Sequence, residues 1–200
     1  MAYPDHVALN TSAAGDRLSP NQLDKQRQII EAARDVLARD GLAGCTARAV
    51  ADASPLTKSA IHYYFADMDD LVEAAMAGHI EATVEHLRAA AAAHDDPLER
   101  FWAAVTRYLE LFQAKPNAAV LWFDYWVDAV RRDRLDAVRR LHRDCVWIFA
   151  ELLAAIPVGE PRKRAQALFR YLVGAVVQQT VDPLPVKEVR SHVADLCGLG

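Results

Sequence analysis

Residues 41–65 read G-L-A-G-C-T-A-R-A-V-A-D-A-S-P-L-T-K-S-A-I-H-Y-Y-F, and this stretch predicts two short helices separated by a tight turn. Thr46 is a good N-cap for the first helix, because its hydroxyl can accept a hydrogen bond from a backbone N–H of the first turn. That helix ends before Pro55, since the residue preceding a proline is disfavoured in the helical region. Thr57 caps the second helix, which we expect to run to about Phe65.

A longer helix precedes this pair. Ser19-Pro20 and Gln22 have the spacing of a capping box with proline at the first helical position. Apolar residues then recur at intervals of three and four up to Gly41, a residue type that favours the left-handed end of a helix. A long helix followed by two short ones around a tight turn is typical of a helix-turn-helix domain.

The second short helix has two different faces. Ile61 and Phe65 are four residues apart and are expected to face a small core. The opposite face offers donors, an aromatic plane and a cation, which suit phosphates and base edges in a major groove. A solvated helix face is the alternative interpretation, and periodicity alone does not separate the two. The residues expected on this face are Lys58, Ser59, His62 and Tyr63.

The rest of the chain also predicts helices, so the fold class is all-α with about nine helices. None of its segments shows the alternation that is typical of strands. The later helices are the fourth to the ninth in chain order. They are expected, in that order, from the cap Asp67 to about His94, from Asp96-Pro97 onward, over roughly 117–130, from the cap Asp133 to before Pro157, from Pro161 onward, and near 185–197.

Composition excludes several classes of protein. The 200 residues are 52% hydrophobic and 25% charged, an ordinary balance for a soluble globular chain. The apolar runs fall far below the ~18–20 residues that a spanning helix needs, so we expect a cytoplasmic protein without membrane contact.

Cys45, Cys145 and Cys197 are widely separated and are expected to be small buried residues. The sequence therefore predicts neither disulfides nor a metal or cofactor site.

Three segments together resemble the DNA-binding domain of the TetR family of transcriptional regulators. They are G-L-A-G-C-T-A-R-A-V-A (41–51), L-T-K-S-A-I-H-Y-Y-F (56–65) and D-L (70–71). The resemblance implies that Thr46 and Arg48 meet the backbone of double-stranded operator DNA, and that the second short helix enters the major groove. The groove-reading residues that it implies are Thr57, Lys58, Ser59, His62, Tyr63 and Tyr64.

This sequence departs from the usual pattern of the family at three places. Ser54-Pro55 replaces the frequent Ala-Gly of the turn, and proline cannot adopt a positive φ, so the turn must be built differently. His62 replaces a frequent tyrosine and adds a group that can titrate. Met68 replaces a frequent lysine and removes one expected phosphate contact.

Aromatic residues are concentrated between Phe101 and Phe149. Core packing explains such a cluster in any helical domain, whereas the resemblance implies an inducer pocket bounded by helices four to seven. Trp147 shares its helical stripe with charged residues and is left out of the predicted pocket. The candidate ligand-binding residues are Trp102, Tyr108, Phe112, Trp122, Tyr125 and Trp126.

The eighth helix has almost no polar side over residues 165–177. A helix that is apolar all round must be buried all round, so it needs a partner beyond its own domain. Gly174-Ala175 permits the close approach of such a partner. Helices eight and nine of two chains would then form a homodimer interface, as the resemblance also implies.

The leading hypothesis is therefore a homodimeric, ligand-responsive transcriptional regulator, most often a repressor in this family, released by a small apolar or aromatic inducer. Residues 20–66 contain six Lys/Arg against five Asp/Glu, so DNA affinity needs two copies on a palindromic site. An all-α enzyme and a ligand-binding module without DNA binding remain alternatives, although no catalytic motif is present. The predicted divisions are a flexible tail 1–18, a helix-turn-helix domain 19–66, and a ligand-binding and dimerisation domain 67–200.

Overall fold

The computed structural model describes residues 11–113, 117–179, 181–182 and 185–199. Nine α-helices and no strand are present within these ranges, so the all-α class and the predicted order of helices are confirmed. The helices are α1 (Pro20–Gly44), α2 (Ala47–Asp52), α3 (Lys58–Tyr64), α4 (Met68–Ala92), α5 (Pro97–Gln113), α6 (Ala118–Arg131), α7 (Asp136–Ala154), α8 (Pro161–Gln178) and α9 (Val186–Cys197). None of the described helices is both long and apolar enough to cross a membrane.

The chain divides into two compact units. Unit 1 comprises Met1–Ile80 and Val120–Arg131, and unit 2 comprises Glu81–Ala119 and Arg132–Gly200. The expected DNA-binding domain, residues 19–66, lies wholly within unit 1. Unit 1 therefore adds the first half of α4 and most of α6 to the three N-terminal helices.

A segment before α1 packs on unit 1, which differs from the flexible tail expected over residues 1–18. Thr11 forms an isolated antiparallel bridge with Arg17. The backbone N–H of Ala13 donates a hydrogen bond to the carbonyl of Tyr63 at 3.0 Å. The expectation is therefore corrected for residues 11–18, whose backbone groups find partners in the folded unit, while residues 1–10 lie outside the described residues.

Helix ends follow the predicted signals except at α7. Gly41 has φ +73° and interrupts the helical backbone near the end of α1, as the sequence predicts. Asp133 does not cap α7, however, because Leu135 occupies the N-cap position and the helix begins at Asp136. Asp133 itself has φ +56°, a left-handed conformation that Asp tolerates but that differs from the extended backbone of an N-cap.

The core of unit 1 holds the three N-terminal helices together. Ile29 and Leu37 of α1, Val50 of α2, and Ile61 of α3 are at most 2% exposed, and so is Phe65 directly after α3. Burying such side chains contributes about 1.5–3 kcal/mol each, so this cluster fixes the angle between the short helices. The face of α3 that packs inward is the one predicted from the four-residue spacing of Ile61 and Phe65.

Unit 2 has its own core, which α5, α7, α8 and α9 supply. Phe101, Phe149 and Leu168 have no exposed surface. Cys145 and Cys197 are also fully buried, and burial raises the pKa of their thiols to about 12 and about 11, respectively. These cysteines, like Cys45 of unit 1, are free thiols that act as small core residues, as expected.

Among the described residues, helix α8 is covered on only one side. Leu168, Leu172 and Ala175 are buried, whereas Val177 is 40% exposed. A Cβ atom built on Gly174 meets no neighbouring atom within 4 Å. The outer face of this apolar helix is therefore open within the described part of the single chain.

Candidate DNA-binding surface and aromatic clusters

Two threonines fix the starts of the short helices. The hydroxyl of Thr46 accepts a hydrogen bond from the N–H of Ala49 at 3.2 Å. The hydroxyl of Thr57 accepts one from the N–H of Ala60 at 3.3 Å. Each bond satisfies a backbone donor that the first helical turn would otherwise leave unpaired. The side-chain caps predicted for α2 and α3 are therefore present.

The turn between α2 and α3 is closed by a serine side chain. The hydroxyl of Ser54 accepts a hydrogen bond from the N–H of Leu56 at 3.1 Å, and it lies 3.3 Å from the carbonyl oxygen of Leu56, to which it donates. This contact across two residues mimics a backbone turn and accommodates Pro55. It explains how the turn forms with Ser-Pro in place of the frequent Ala-Gly, because no positive φ occurs at these residues.

One face of α3 is open to solvent. Lys58, Ser59 and His62 are exposed, and Tyr63 is 45% exposed although it is a large aromatic residue. We call these four residues the recognition face. The structure brings them together on one side of α3, as the sequence predicts, while their contact with DNA stays a prediction.

Tyr64 does not belong to the recognition face. Its side chain is only 6% exposed, and its ring meets the ring of Tyr63 edge-on at 4.9 Å. Burial raises the pKa of its hydroxyl. Tyr64 lies three residues after the buried Ile61, and this spacing turns it toward the core, away from the recognition face. Its contact with DNA stays a prediction.

A glutamine at the start of α1 holds the tyrosine of the recognition face. The Oε1 atom of Gln22 accepts a hydrogen bond from the N–H of Ser19 at 2.9 Å. The Nε2 atom of Gln22 donates a hydrogen bond to the hydroxyl of Tyr63, also at 2.9 Å. The capping signal identifies the first contact, but the second joins residues 41 positions apart, so sequence spacing does not reveal it.

The residues implied to meet the DNA backbone at α2 are also open to solvent. Thr46 is exposed, and the side chain of Arg48 is 90% exposed. Arg48 lies 3.9 Å from Asp52, whose side chain is 74% exposed. Such an exposed ion pair contributes only about 0–1 kcal/mol to the stability of the protein. The guanidinium of Arg48 can therefore leave Asp52 and bind a phosphate. At the start of α4, Met68 is half-buried and supplies no charge.

Three of the predicted ligand-binding residues lie in unit 1, on α6. Trp122 and Tyr125 are buried, and Trp126 is half-buried. The ring of Trp122 lies 5.9 Å from that of Tyr125 and 6.1 Å from that of Trp126. The hydroxyl of Tyr125 donates a hydrogen bond to the carboxylate of Glu73 at 3.1 Å. This bond ties α6 to α4, and no sequence signal identifies Glu73.

The other three predicted ligand-binding residues lie in unit 2, on α5. Tyr108 is 1% exposed and lies between the rings of Phe112, at 5.3 Å, and Phe169, at 5.8 Å. Burial strongly raises the pKa of its hydroxyl. Trp102 is half-buried and points elsewhere, because the guanidinium of Arg190 from α9 lies 4.1 Å from its ring centroid. The structure therefore brings Tyr108 and Phe112 together and sets Trp102 against α9.

A long helix followed by a capped pair of short helices with one open, polar face is the arrangement of a helix-turn-helix domain. The family model described as bacterial regulatory proteins of the tetR family matches residues 29–75. A second model, described as the tetracyclin repressor-like C-terminal domain, matches residues 96–199. The chain belongs to the TetR family, whose members are transcriptional regulators with a DNA-binding helix-turn-helix and a C-terminal ligand-binding domain.

Individual relatives agree with this assignment. The chain is 27% identical over 187 residues to the HTH-type transcriptional regulator BetI of Paraburkholderia phytofirmans, covering 86% of this chain and 92% of that protein. A TetR transcription regulator from Haloarcula marismortui has the same fold, with a TM-score of 0.75 at 19% identity over 88% of this chain and 97% of that one. The multidrug binding protein EbrR, solved with imidazole, matches with a TM-score of 0.67 at 25% identity, covering 89% and 90%.

Proposed function

We propose that this protein is a homodimeric repressor that binds operator DNA through α2 and α3 and leaves it when a small apolar or aromatic molecule binds. The observation that carries the proposal is the recognition face of α3. A cation, two polar side chains and an exposed tyrosine lie together there, on a helix that is rigidly capped at its N-terminus. As a regulator of transcription, the protein would act in the cytoplasm.

DNA binding is tested by removing side chains from the recognition face. Tyr63→Ala and Lys58→Ala should abolish or strongly weaken a mobility shift with the DNA flanking the protein's own coding region. Lys163→Ala is the matched control, because Lys163 is an exposed lysine on α8. A phosphate contact acts on all sequences and reduces the salt dependence, whereas a base contact relaxes specificity by about 1–3 kcal/mol. Normal shifts by both variants would contradict the proposed surface.

The homodimer is supported by exposed apolar side chains on α8, on α9 and in the segment between them. Val177, Val181 and Leu196 are 40%, 86% and 36% exposed, and Gly174 leaves room for a second chain to approach. A second copy would cover these side chains and present a second recognition helix, about 34 Å away, to the next major groove. Sedimentation at micromolar concentration should show a dimer, and a stable monomer there would contradict the proposal.

Induction is proposed to act through the aromatic residues of α6. Trp122 and Tyr125 belong to the same compact unit as the recognition face, so a ligand that displaces them acts on the unit that binds DNA. The related EbrR has also been solved in complex with proflavin, a planar aromatic molecule. A shift of the population from 1:99 to 99:1 needs about 10⁴-fold differential affinity, or about 5.5 kcal/mol.

The induction step is tested with one variant and one reciprocal measurement. Trp122→Ala should lose the response to an aromatic inducer and keep its affinity for the operator. Linkage requires that operator DNA weakens ligand binding by the same factor by which the ligand weakens operator binding. A Trp122→Ala protein that responds like the parent would remove this residue from the site. Equal ligand affinity with and without operator would remove the mechanism.

A further inference from the structure

Unit 2 carries a groove that none of the six predicted ligand-binding residues lines. The groove has a volume of about 540 Å³, within the range of small-molecule sites in proteins. Its walls are the C-terminal part of α4, the first turn of α5 and the C-terminal part of α7. We call it the Trp147 groove, and the lining residues that matter below are Arg88, Arg100, Trp147, Ile148, Glu151 and Leu152.

The groove combines an apolar floor with an exposed aromatic wall. Ile148 and Leu152 in its floor are only 4% and 8% exposed. Trp147 is 52% exposed, although a tryptophan gains more than any other side chain from leaving water. The guanidinium of Arg88 lies 5.8 Å from the centroid of the Trp147 ring, so a flat apolar surface and a cation meet at one edge of the groove.

The charges in the groove favour an anion. Arg88 and Arg100 are both exposed, and neither forms an ion pair with any residue that the structure describes. Arg140, by contrast, lies earlier on α7 and is paired with Glu81 at 3.6 Å. Glu151 is the only acidic residue among the described residues of the lining, so these residues together carry an excess of one positive charge.

We infer that the Trp147 groove binds a planar aromatic monoanion. A guanidinium presents a planar fork of donors that matches a carboxylate, and Arg88 and Arg100 supply two such groups. The body of the ligand lies on Ile148 and Leu152 beside the indole of Trp147. The negative charge of Glu151 disfavours a ligand with two negative charges. The groove therefore favours a carboxylate, with one negative charge, over a phosphate monoester dianion. This site is separate from the aromatic residues of α6, and binding to it requires neither DNA nor induction.

The test is calorimetric titration of the full-length protein with 2-naphthoate. The neutral 2-naphthamide, the cationic 2-naphthylmethylammonium ion and the dianionic 2-naphthyl phosphate are compared on the same protein. We expect 2-naphthoate to bind at least about tenfold more tightly than the amide, since hydrogen bonds to charged groups are roughly twice as strong as neutral ones. Equal or tighter binding of the amide or the phosphate would overturn the assigned ligand class, and absence of 2-naphthoate binding would overturn the site.

Variants then locate the binding. Arg88→Gln combined with Arg100→Gln, and separately Trp147→Ala, should each weaken 2-naphthoate binding by about tenfold or more. Arg162→Gln is the charge control, because Arg162 is an exposed arginine on α8 outside the groove. All these side chains are exposed, so melting temperatures near the parent value should accompany the losses. Loss of binding in Trp122→Ala, but not in the groove variants, would overturn this site while leaving the proposed repressor function intact.

Discussion

The contact between Gln22 and Tyr63 makes a quantitative prediction about operator binding. The 2.9 Å hydrogen bond holds the phenol of the recognition face, and both side chains are at least partly exposed. A neutral hydrogen bond in such a setting contributes about 0.5–1 kcal/mol, at the lower end of the usual range. Releasing Tyr63 should therefore weaken each half-site by roughly two- to fivefold. A dimer with two equivalent recognition helices would lose about 1–2 kcal/mol, or roughly five- to thirtyfold in Kd.

A double-mutant cycle of Gln22→Ala and Tyr63→Phe isolates this contact. Gln22 also accepts the hydrogen bond from the N–H of Ser19, but the loss of that cap is common to both backgrounds and cancels in the cycle. The measurement is fluorescence anisotropy with labelled operator DNA at one fixed salt concentration. We expect Gln22→Ala to weaken binding in the parent and to have a much smaller effect in Tyr63→Phe. Equal effects in both backgrounds would refute the positioning role of Gln22.

Three further predictions concern stability and assembly. Tyr125→Phe should lower the free energy of unfolding by about 1.5–3 kcal/mol in urea melts, because Glu73 loses a donor to its carboxylate; a variant as stable as the parent would contradict this. Burial raises the pKa of Cys145 to about 12, above the unfolded value near 9. The buried neutral thiol therefore contributes fully to the stability of the folded state below pH 9, and this contribution is lost as the pH rises toward 12. The free energy of unfolding should fall by about 2–3 kcal/mol by pH 11, and Cys145→Ala should flatten that dependence. Gly174→Asp should convert the proposed dimer to a folded monomer in sedimentation experiments, since a Cβ atom at this position meets no neighbouring atom within 4 Å, and a persistent dimer would place the interface elsewhere.

Local signals predicted the helix-turn-helix well, because the physics that forms it acts over a few residues. Thr46 and Thr57 cap helices through hydrogen bonds to N–H groups three positions away. Ile61 faces the core because helical spacing alone fixes its side. The same reasoning fails at Asp133. Aspartate is suited to an N-cap but also tolerates a left-handed backbone, and in the structure Asp133 has the left-handed backbone and does not cap α7.

Contacts between distant residues could not be predicted in the same way. The partners Gln22 and Tyr63 are 41 positions apart, and Glu73 and Tyr125 are 52 positions apart. Each of these residues has a plausible local role, so nothing in its neighbourhood in the sequence indicates a second partner. Trp102 also has a distant partner that its own helix does not indicate, since the guanidinium of Arg190 on α9 lies 4.1 Å from its ring centroid.

The Trp147 groove shows why helical periodicity can give the right exposure and still miss a site. The stripe that Trp147 shares with Glu151 correctly indicates a solvent-facing side near the C-terminal end of α7, where Trp147 is 52% exposed. Arg140, earlier on the same stripe, has a side chain that is only 16% exposed. Periodicity describes one helix at a time, however, whereas the guanidinium groups of the groove come from Arg88 on α4 and Arg100 on α5. A ligand site on the surface of a helical domain depends on which side chains the neighbouring helices bring together. The packing of the helices determines this, and residue spacing along a single helix does not show it.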